Sequence, residues 1–355
     1  MMVIDGSHGE GGGQVLRTAL TLATITGESI RIEHIRAGRE TPGLGPQHLT
    51  AVRAAAAVCG AGVEGDALGS QTLTFTPGGP ANPGTYTFDV AQVAQRGSAG
   101  SVSLVLQTIL LPLALVSGES YVTLRGGTHV PWSPSASYVA HVFLPLLRRM
   151  GIHARLDLVR WGFYPAGGGE IRVQIQGREG PLHPITLTDA AELQRVWGIA
   201  AVTNLPSHIP QRMANRARNA LLEAGVSGQI DARRLRGDGP GAGIFLFAEH
   251  LSAPSGEPAT AGFTAYGRKG LPSERVAEAA CEDLLVHRRS RAPVDPYVVD
   301  QLVLPMALAK GQSRVVTARV SQHLLTNIWV VRQFLSRRPL VEEGPGGLAA
   351  LVVKE

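Results

Sequence analysis

Apolar residues recur every three to four positions in several segments of the chain, and these segments are followed by glycine. In the first such segment, 13–26, valine, leucine and alanine side chains share one face. Gly27 follows it, as glycine often does beyond a helix C-terminus. Positions 29–35 then alternate between apolar and polar residues. The pattern predicts a helix over 13–26 and a strand over 29–35.

The same pattern occurs three times along the chain. LTLATITGESIRI begins at Leu20, LPLALVSGESYVT at Leu111 and LPMALAKGQSRVV at Leu304. Gly27 and Gly118, at equivalent places in the first two copies, are 91 positions apart. A constant offset indicates a duplicated unit of helix, strand and second helix. The second helices are predicted over 47–58, 137–150 and 324–336.

A stretch rich in glycine and proline interrupts these units. The segments GREGPLHP, GDGPGAG and SAPSGEP bound one predicted helix over 211–224 and strands such as 243–248. A further helix over 273–288 is expected to return to the main body. Helices that alternate with strands indicate an α/β or α+β protein built from repeated units. The expected division is a large repeat domain at 1–181 and 272–345, with a smaller α/β domain inserted at 182–271.

The composition is that of a soluble protein of two or more domains, with 355 residues, 44% hydrophobic and 17% charged. The apolar run at 109–116 is interrupted by Pro112 and is too short to span a bilayer. The opening MMVIDGSHGEGGG lacks the basic and apolar regions of a signal peptide. Cys59 and Cys281 have no CxxC partner. We therefore expect a cytoplasmic protein with reduced thiols and no membrane partner.

The net charge of +5 favours anionic partners such as nucleotides or nucleic acid. The opening GSHGEGGGQVLR matches this, since glycines let a ligand approach the backbone and a helix N-terminus favours anions. It is neither a P-loop nor a dinucleotide fingerprint. A tight turn without a ligand explains the glycines equally well.

Polar residues around this turn favour a phosphate site. Glu10 precedes the helix, and Gln14 and Arg17 share a face of it. Arginine binds phosphate bidentately, and magnesium takes one or two protein carboxylates and completes its shell with water and substrate. A solvated basic face is the alternative interpretation. The further candidates near the turn are Arg36 and Arg39 after the first strand and Gln47 at the start of the next helix.

Other candidate residues carry weaker signals when each is taken alone. Tyr297, Asp300 and Gln301 lie in YVVDQL, which a surface turn entering a helix also explains. Pro131 could form one wall of a slot for a base, although a packed loop explains it as well. His323 lies at the front edge of the apolar stripe in SQHLLTNIWVV and by itself is more typical of a structural histidine. No Ser/His/Asp order, CxxC pair or HExxH motif is present, so a nucleophile has to be a histidine, a thiol or a hydroxyl.

The motifs taken together resemble those of the RNA 3'-terminal phosphate cyclases. GEGGGQ-x-LR, IRAGR-x-x-PGL-x-x-QHL, GSAGS, RWGFYPAGGG, GRKG, Y-x-x-DQLVLPMAL and HLLTNI occur in that order over about 320 residues. The resemblance implies an α+β fold with three repeated units, each of two helices on a four-stranded sheet, and a smaller inserted domain.

The resemblance also implies an activity. The family uses ATP and a divalent metal, Mg²⁺ or Mn²⁺, to convert an RNA 3'-phosphate into a 2',3'-cyclic phosphate. A histidine takes AMP from ATP, the AMP passes to the RNA 3'-phosphate, and the vicinal 2'-hydroxyl closes the ring and expels AMP. The implied partners are thus ATP and an RNA that ends in a 3'-phosphate.

Carried over residue by residue, the resemblance implies roles for the candidates above. His323 matches the nucleophile of the HLLTN motif, and Glu10 matches a glutamate linked with metal and phosphate. Tyr297 and Pro131 match the tyrosine and proline that hold adenine. The remaining matches to the family's nucleotide pocket are Gln14, Arg17, Arg36, Arg39, Gln47, Asp300 and Gln301.

One segment departs from the family pattern. After GGT, some relatives carry an acidic residue and later A-P-P-x-D, whereas this chain reads GGTHVPWSPSASY with His129 and Ser137 at those places. Two other functions remain open: a non-catalytic relative in ribosome maturation, which would lack the nucleophile, and an enolpyruvyl transferase-like enzyme, which the repeated unit also resembles.

Overall fold

The computed structural model describes residues 1–10, 12–94 and 99–354 of the chain. Gly11 of the GEGGGQ motif and the first two residues of GSAGS lie outside the described residues. Helices alternate with four-stranded mixed sheets through the described ranges, which confirms the α+β class.

The first sheet and its helices occupy the N-terminal part of the chain. Both of its long helices end at a glycine in the left-handed region, Gly27 with φ 74° and Gly60 with φ 63°. The predicted helix over 13–26 is found within one residue. The elements are β1 Met2–Asp5, α1 Gln14–Thr26, β2 Ile30–Glu33, α2 Pro46–Cys59, β3 Gly62–Glu64 and β4 Leu73–Thr76.

The second sheet follows, and the helix predicted over 137–150 is found as a continuous helical run over 136–149 that contains a π-helical turn. Pro145 has no N–H to donate to the preceding turn, so the chain passes through a π-helical turn, Val139–Phe143, before a last short helix. The elements are β5 Thr85–Asp89, α3 Val90–Val93, α4 Val102–Ala114, β6 Glu119–Gly126, α5 Ala136–Tyr138, α6 Leu144–Arg149, β7 His153–Arg160 and β8 Gly169–Gln176.

A two-residue strand, β9 Thr186–Leu187, starts the third sheet, and the chain then leaves it for about a hundred residues. The intervening segment forms a sheet of its own, in the order β11-β10-β12-β13. Its elements are β10 Asp189–Thr203, α7 His208–Glu223, β11 Gly228–Leu235, β12 Gly241–Ala253, β13 Glu257–Tyr266 and α8 Ser273–Ser290.

The chain then completes the third sheet. Asp295 caps its first helix by accepting hydrogen bonds from the N–H groups of Tyr297 and Val298, and Pro296 occupies the first helical position, where no donor is needed. The elements are α9 Pro296–Leu308, β14 Ser313–Thr317, α10 Gln322–Phe334, β15 Leu340–Glu343 and β16 Ala349–Val353, with a 3₁₀ turn at Pro345–Gly347.

These three sheets share one connectivity. Their strand orders are β1-β2-β4-β3, β5-β6-β8-β7 and β9-β14-β16-β15. In each, the first two strands are parallel and the other pairs are antiparallel. This recurrence is what a threefold repeat of the unit would produce.

The inserted sheet packs on both of its faces. Along β12, Ile244 and Leu246 point towards α7 and α8, while Phe245 and Phe247 pack into the main core, as the period of two in a strand requires.

The packing of α8 differs from the expectation that it returns to the large domain. Its buried Ala280 belongs to the same core as α7.

The helices of the first and third units pack against one another. Helix α1 packs against α10 and α4, and α10 packs against α9. The polar N-terminal turns of α1 and α10 therefore come close together. None of the helices in the described ranges combines the length and the apolar content needed to cross a bilayer.

Candidate active site

His323 is the second residue of α10 and lies where the helix begins. Ser321 caps this end, because its Oγ accepts a hydrogen bond from the N–H of Leu324 at 2.9 Å. The same hydroxyl donates to Oδ1 of Asp300 at 2.7 Å. Leu324 and Ile328 anchor the helix in the core, while the His323 side chain stays 48% exposed. The ring is therefore accessible and is held by a fixed helix end.

Glu10 faces the ring of His323. Its Oε1 lies 2.6 Å from Nδ1 of His323, and its Oε2 lies 3.6 Å from Nη2 of Arg39. The His323 ring is the main cause that lowers the pKa of the Glu10 carboxyl; partial burial opposes it, and Arg39 and Arg17 lower it further. An ionised carboxylate beside Nδ1 favours the tautomer with its proton on that nitrogen. The lone pair of a neutral ring then lies on Nε2.

Arg17 is a buried cation behind this pair, with 7% of its surface exposed. Burial lowers the pKa of Arg17 to about 10, while Glu10 opposes the change, so the side chain stays charged at neutral pH. Its Nη2 donates to Oε1 of Gln14 at 2.7 Å. Its Nε has no hydrogen-bond partner among the described residues. A buried guanidinium with an unused donor is suited to an anionic ligand.

Asn327 joins three helices below the ring of His323. Its Oδ1 accepts hydrogen bonds from Oγ1 of Thr18 at 2.6 Å and from Nε2 of Gln14 at 2.8 Å. Its Nδ2 donates to the backbone oxygen of Asp300 at 2.8 Å. One amide therefore fixes α1, α9 and α10 relative to one another.

A cavity of about 480 Å³ opens beside His323. Tyr297, 54% exposed, and Trp132, 92% exposed, stand in its lining, and the guanidinium carbon of Arg319 lies 5.7 Å from the centre of the Tyr297 ring. The lining combines aromatic and apolar side chains with a few polar ones, as is common in pockets for small molecules. The predicted site residues in the lining are Gln14, Arg17, Pro131, Tyr297, Asp300, Gln301 and His323.

Asp300 and Gln301 occupy successive positions on α9 but have different surroundings. Burial raises the pKa of the Asp300 carboxyl, against the hydrogen bond from Ser321. Gln301 accepts a hydrogen bond from Nε2 of Gln107 at 2.7 Å and donates to the backbone oxygen of Tyr297 at 3.2 Å. Asp300 thus supports the start of α10, and Gln301 links α9 to α4.

Arg36 and Gln47 do not line the cavity. Arg36 donates from Nη1 to the backbone oxygen of Gly43 at 2.7 Å, and Gln47 accepts from the N–H of Ser101 at 2.9 Å. Both hold loops, while Arg39 reaches Glu10 from the same region. His48 is buried nearby, and burial, with help from the surrounding arginines, lowers its pKa to about 3.

The two residues that depart from the family pattern, His129 and Ser137, are buried outside this cavity. His129 stacks on Trp161 with ring centres 3.9 Å apart, and its Nε2 lies 2.8 Å from Oγ of Ser137. Burial lowers the pKa of His129 to about 3. Neither residue lines the cavity. The substitution therefore changes the packing behind the pocket wall.

Thr18, Asn327 and Arg319 were not among the candidates predicted from the sequence. Asn327 interrupts an apolar stripe four positions after His323, which is the signal that could have identified it. Thr18 lies within an ordinary helical pattern, and Arg319 lies in a loop before α10. Neither carries a local signal, because their roles depend on contacts with distant elements.

A divalent metal fits here only together with a phosphate ligand. Within the described ranges, no group of three or more His, Cys, Asp or Glu side chains is arranged to hold a metal ion. Glu10 offers a single carboxylate. Magnesium binds through one or two carboxylates with substrate phosphates and water as its other ligands. The donor set therefore suits a metal that arrives with a nucleotide.

Comparisons with known proteins point to one family. The family model described as RNA 3'-terminal phosphate cyclase matches residues 8–339. The chain is 55% identical to the RNA 3'-terminal phosphate cyclase of Trichormus variabilis over 94% of each chain, and 42% identical to that of Salmonella agona over 100% of this chain and 98% of the relative. Among solved structures, the enolpyruvyl transferase NikO from Streptomyces tendae matches at 11% identity and a TM-score of 0.39 over 99% of this chain and 48% of that one, which is too distant to bear on fold or function.

Proposed function

This chain belongs to the RNA 3'-terminal phosphate cyclase family, and we propose that it makes the 2',3'-cyclic phosphate through a covalent AMP adduct of His323. The observation that carries the proposal is the position of His323. Its accessible ring faces Glu10 and lines a cavity of about 480 Å³ that the buried cation Arg17 also lines.

The first step is the attack of His323 on ATP. The lone pair of Nε2 forms a bond to the α-phosphorus, and the bond from that phosphorus to the bridging oxygen of pyrophosphate breaks. Glu10 beside Nδ1 stabilises the positive charge that grows on the ring as the N–P bond forms. Arg17 and Arg39 counter the negative charge on the phosphate oxygens. Covalent catalysis divides one difficult dehydration into easier steps.

The second and third steps regenerate the ring. An oxygen of the RNA 3'-phosphate attacks the phosphorus of the adduct, and the N–P bond to Nε2 breaks. The 2'-hydroxyl then attacks the 3'-phosphorus, loses its proton to solvent, and AMP leaves with the oxygen that joined the two phosphates. The net products are a 2',3'-cyclic phosphate, AMP and pyrophosphate.

The cavity supplies a place for the adenosine. Tyr297 and Pro131 line its exposed end, and a tyrosine ring gives a base a surface on which to stack. Asn327 and Gln14 hold the helices that form its floor. A divalent metal, Mg²⁺ or Mn²⁺, bound by Glu10 together with the ATP phosphates would neutralise phosphate charge.

The other expectations extend this proposal. We place the chemistry in the domain that contains the three related sheets, and the inserted segment contributes Gly262, Phe263, Thr264 and Tyr266 to the lining of the same cavity. The free thiols of Cys59 and Cys281 support a cytoplasmic location. The RNA partner is defined by its terminal phosphate, since the candidate residues are donors for phosphate oxygens.

The proposal is tested by incubation with α-labelled ATP and Mg²⁺ or Mn²⁺, followed by denaturation. Wild type is expected to retain acid-labile label, and His323→Ala is expected to retain none. His153→Ala, which removes an exposed ring on β7, serves as the matched control and should label like wild type. Equal labelling of His323→Ala and wild type would show that His323 is not the nucleophile. RNA cyclisation measured on the same samples tests the whole reaction.

A further inference from the structure

Three consecutive residues of the β1–α1 loop contact three successive positions on one face of α10. The ring of His8 stacks on Trp329 with centres 3.9 Å apart and planes 11° apart. Gly9 lies against Thr326, and Glu10 lies 2.6 Å from the ring of His323. Positions 323, 326 and 329 follow one another at three-residue spacing, so they share a face of the helix. The loop therefore runs antiparallel to α10, and each of its three residues lies opposite one of these helix positions.

The middle contact is a close fit. Gly9 has φ 67°, which favours glycine, and a Cβ at this position would overlap the hydroxyl oxygen of Thr326. Thr326 is buried, and its Oγ1 has no hydrogen-bond partner among the described residues. Backbone and helix thus touch without a polar link at this point.

Apart from the ion pair of Glu10 with Arg39, few polar contacts hold this part of the loop in place. Within the described residues, the backbone groups of Gly9 and Glu10 make no hydrogen bond, and the nearest anchor is the N–H of His8 to the backbone oxygen of Asp5 at 3.3 Å. The glycine before Glu10, Gly9, is a residue whose backbone can adopt many other conformations, in which the Glu10 carboxylate would lie elsewhere. A stacked aromatic pair is a directional contact that removes this freedom.

We propose that His8 and Trp329 are positioning residues for the adenylation reaction: their stack holds the loop in register with α10 and thereby keeps the carboxylate of Glu10 against Nδ1 of His323. The inference rests on the proposed function of His323. It assigns no contact with ATP or RNA to either residue. His8 and Trp329 act through Glu10, whose place in the loop is two residues from the stack.

The test measures single-turnover adenylation over a range of ATP concentrations. His8→Ala is expected to slow the maximal rate by roughly 10- to 100-fold, because small displacements of a reacting constellation are costly, and to leave the half-saturating ATP concentration unchanged. His8→Phe retains a ring that can stack and should restore most of the rate. His153→Ala is the control for loss of a histidine ring far from the loop.

Two further variants separate positioning from general destabilisation. His8→Ala in a Glu10→Gln background should slow adenylation no further, since the stack acts only through that carboxylate. Trp329→Phe should match His8→Phe, and urea unfolding of all variants checks that the fold is intact. An unchanged rate in His8→Ala, a raised half-saturating ATP concentration alone, or a full additional loss in the double variant would each overturn the proposal.

A ligand-free measurement keeps this inference apart from the proposed function. The ¹⁵N shifts of the His323 ring report which nitrogen carries the proton. They should move in His8→Ala and in Glu10→Gln but not in His153→Ala. If His323→Ala still becomes labelled, the proposed function fails, whatever the shifts show. If labelling depends on His323 while the rate and shifts of His8→Ala equal those of wild type, only the positioning role fails.

Discussion

Glu10 and His323 are 313 positions apart in the chain, yet Oε1 of one lies 2.6 Å from Nδ1 of the other. Glu10 belongs to the loop before α1 in the first unit, and His323 starts α10 in the third. The pair therefore exists only because α1 packs against α10. The site therefore lies between two copies of one structural pattern, and each copy supplies one residue of the pair.

Replacing the carboxylate of Glu10 tests its role at the ring. Glu10→Gln keeps the size of the side chain but removes the charge that favours a proton on Nδ1 and stabilises the ring as it becomes cationic. We expect adenylation to slow by roughly 10- to 100-fold, by analogy with the carboxylates that orient metal-bound histidines. The measurement is the single-turnover rate of label transfer from α-labelled ATP.

The matched control for this change is Glu33→Gln. Glu33 forms an exposed ion pair with Arg31 on β2, and exposed pairs contribute little. Its loss should leave the rate as in wild type. Transfer by Glu10→Gln at the wild-type rate would show that the carboxylate does not assist His323.

Replacing Arg17 tests whether the buried cation promotes adenylation while lowering the free energy of unfolding. Arg17→Met replaces it with an apolar side chain of similar length. Because a buried charge whose Nε has no hydrogen-bond partner among the described residues is costly, we expect the free energy of unfolding to stay the same or rise. Adenylation should fall by about a hundredfold or more, since one donor to a charged transition state is lost. Urea unfolding and label transfer measure the two effects.

Arg31→Met provides the comparison on an exposed strand position and should change neither quantity appreciably. A loss of stability in Arg17→Met with adenylation intact would assign Arg17 a structural role instead. A functional role predicts slower adenylation with equal or higher stability, whereas a structural role predicts lower stability with unchanged adenylation. Measuring both quantities on Arg17→Met therefore decides between the two roles.

The regular elements could be predicted because their signals are local. The apolar spacing and the glycine at 27 predicted α1 within a residue, and α10 was found two residues earlier than expected because Ser321 caps it. The helix predicted over 137–150 was found, but its π-helical turn at Val139–Phe143 was not predicted, because the apolar pattern is the same with or without it. The packing of α8 was also missed, because an amphipathic helix does not specify which of two cores it joins.

Most residues of the candidate site could be predicted from the sequence, but their arrangement in space could not. Most of the residues suggested by the motifs line one cavity, but Arg36 and Gln47 hold loops outside it. The contacts that organise the site, such as Asn327 with Gln14, cross more than three hundred positions. Local periodicity carries no information on such distances, and only packing of the units brings the residues together.

Tyr297 tests whether the exposed end of the cavity binds the base. Tyr297→Ala removes a half-exposed ring, so the fold should be little affected. If adenine stacks there, losing about 1–3 kcal/mol of stacking should raise the half-saturating ATP concentration by a factor between about 5 and about 150. Tyr121→Ala, at an exposed site on β6, is the control. Unaltered ATP dependence in Tyr297→Ala would place the base elsewhere.

His287 in the inserted segment tests the cost of a buried, unpartnered ring. Both of its ring nitrogens lack hydrogen-bond partners among the described residues, and its centre lies 5.3 Å from the ring of Phe263. Burial, with a smaller contribution from His250, lowers the pKa of His287 from 6.5 to about 3. As pH falls below 6.5 the unfolded chain binds a proton here that the folded chain does not bind until about pH 3. This group therefore removes stability progressively as pH falls through that window, by up to about 1.4 kcal/mol per pH unit.

His287→Phe removes both the titration and the unpartnered polar atoms. We expect the variant to be as stable as wild type or more stable at pH 7.5, because a buried polar group without a partner costs about 1–3 kcal/mol. Between pH 6 and pH 4.5 the free energy of unfolding of His287→Phe should fall less steeply with decreasing pH than that of wild type. The difference in slope should correspond to about one proton fewer taken up on unfolding. Urea unfolding at four or five pH values measures both, with the exposed His153→Gln as control. Parallel curves for wild type and His287→Phe would mean that the folded ring does bind a proton in this range.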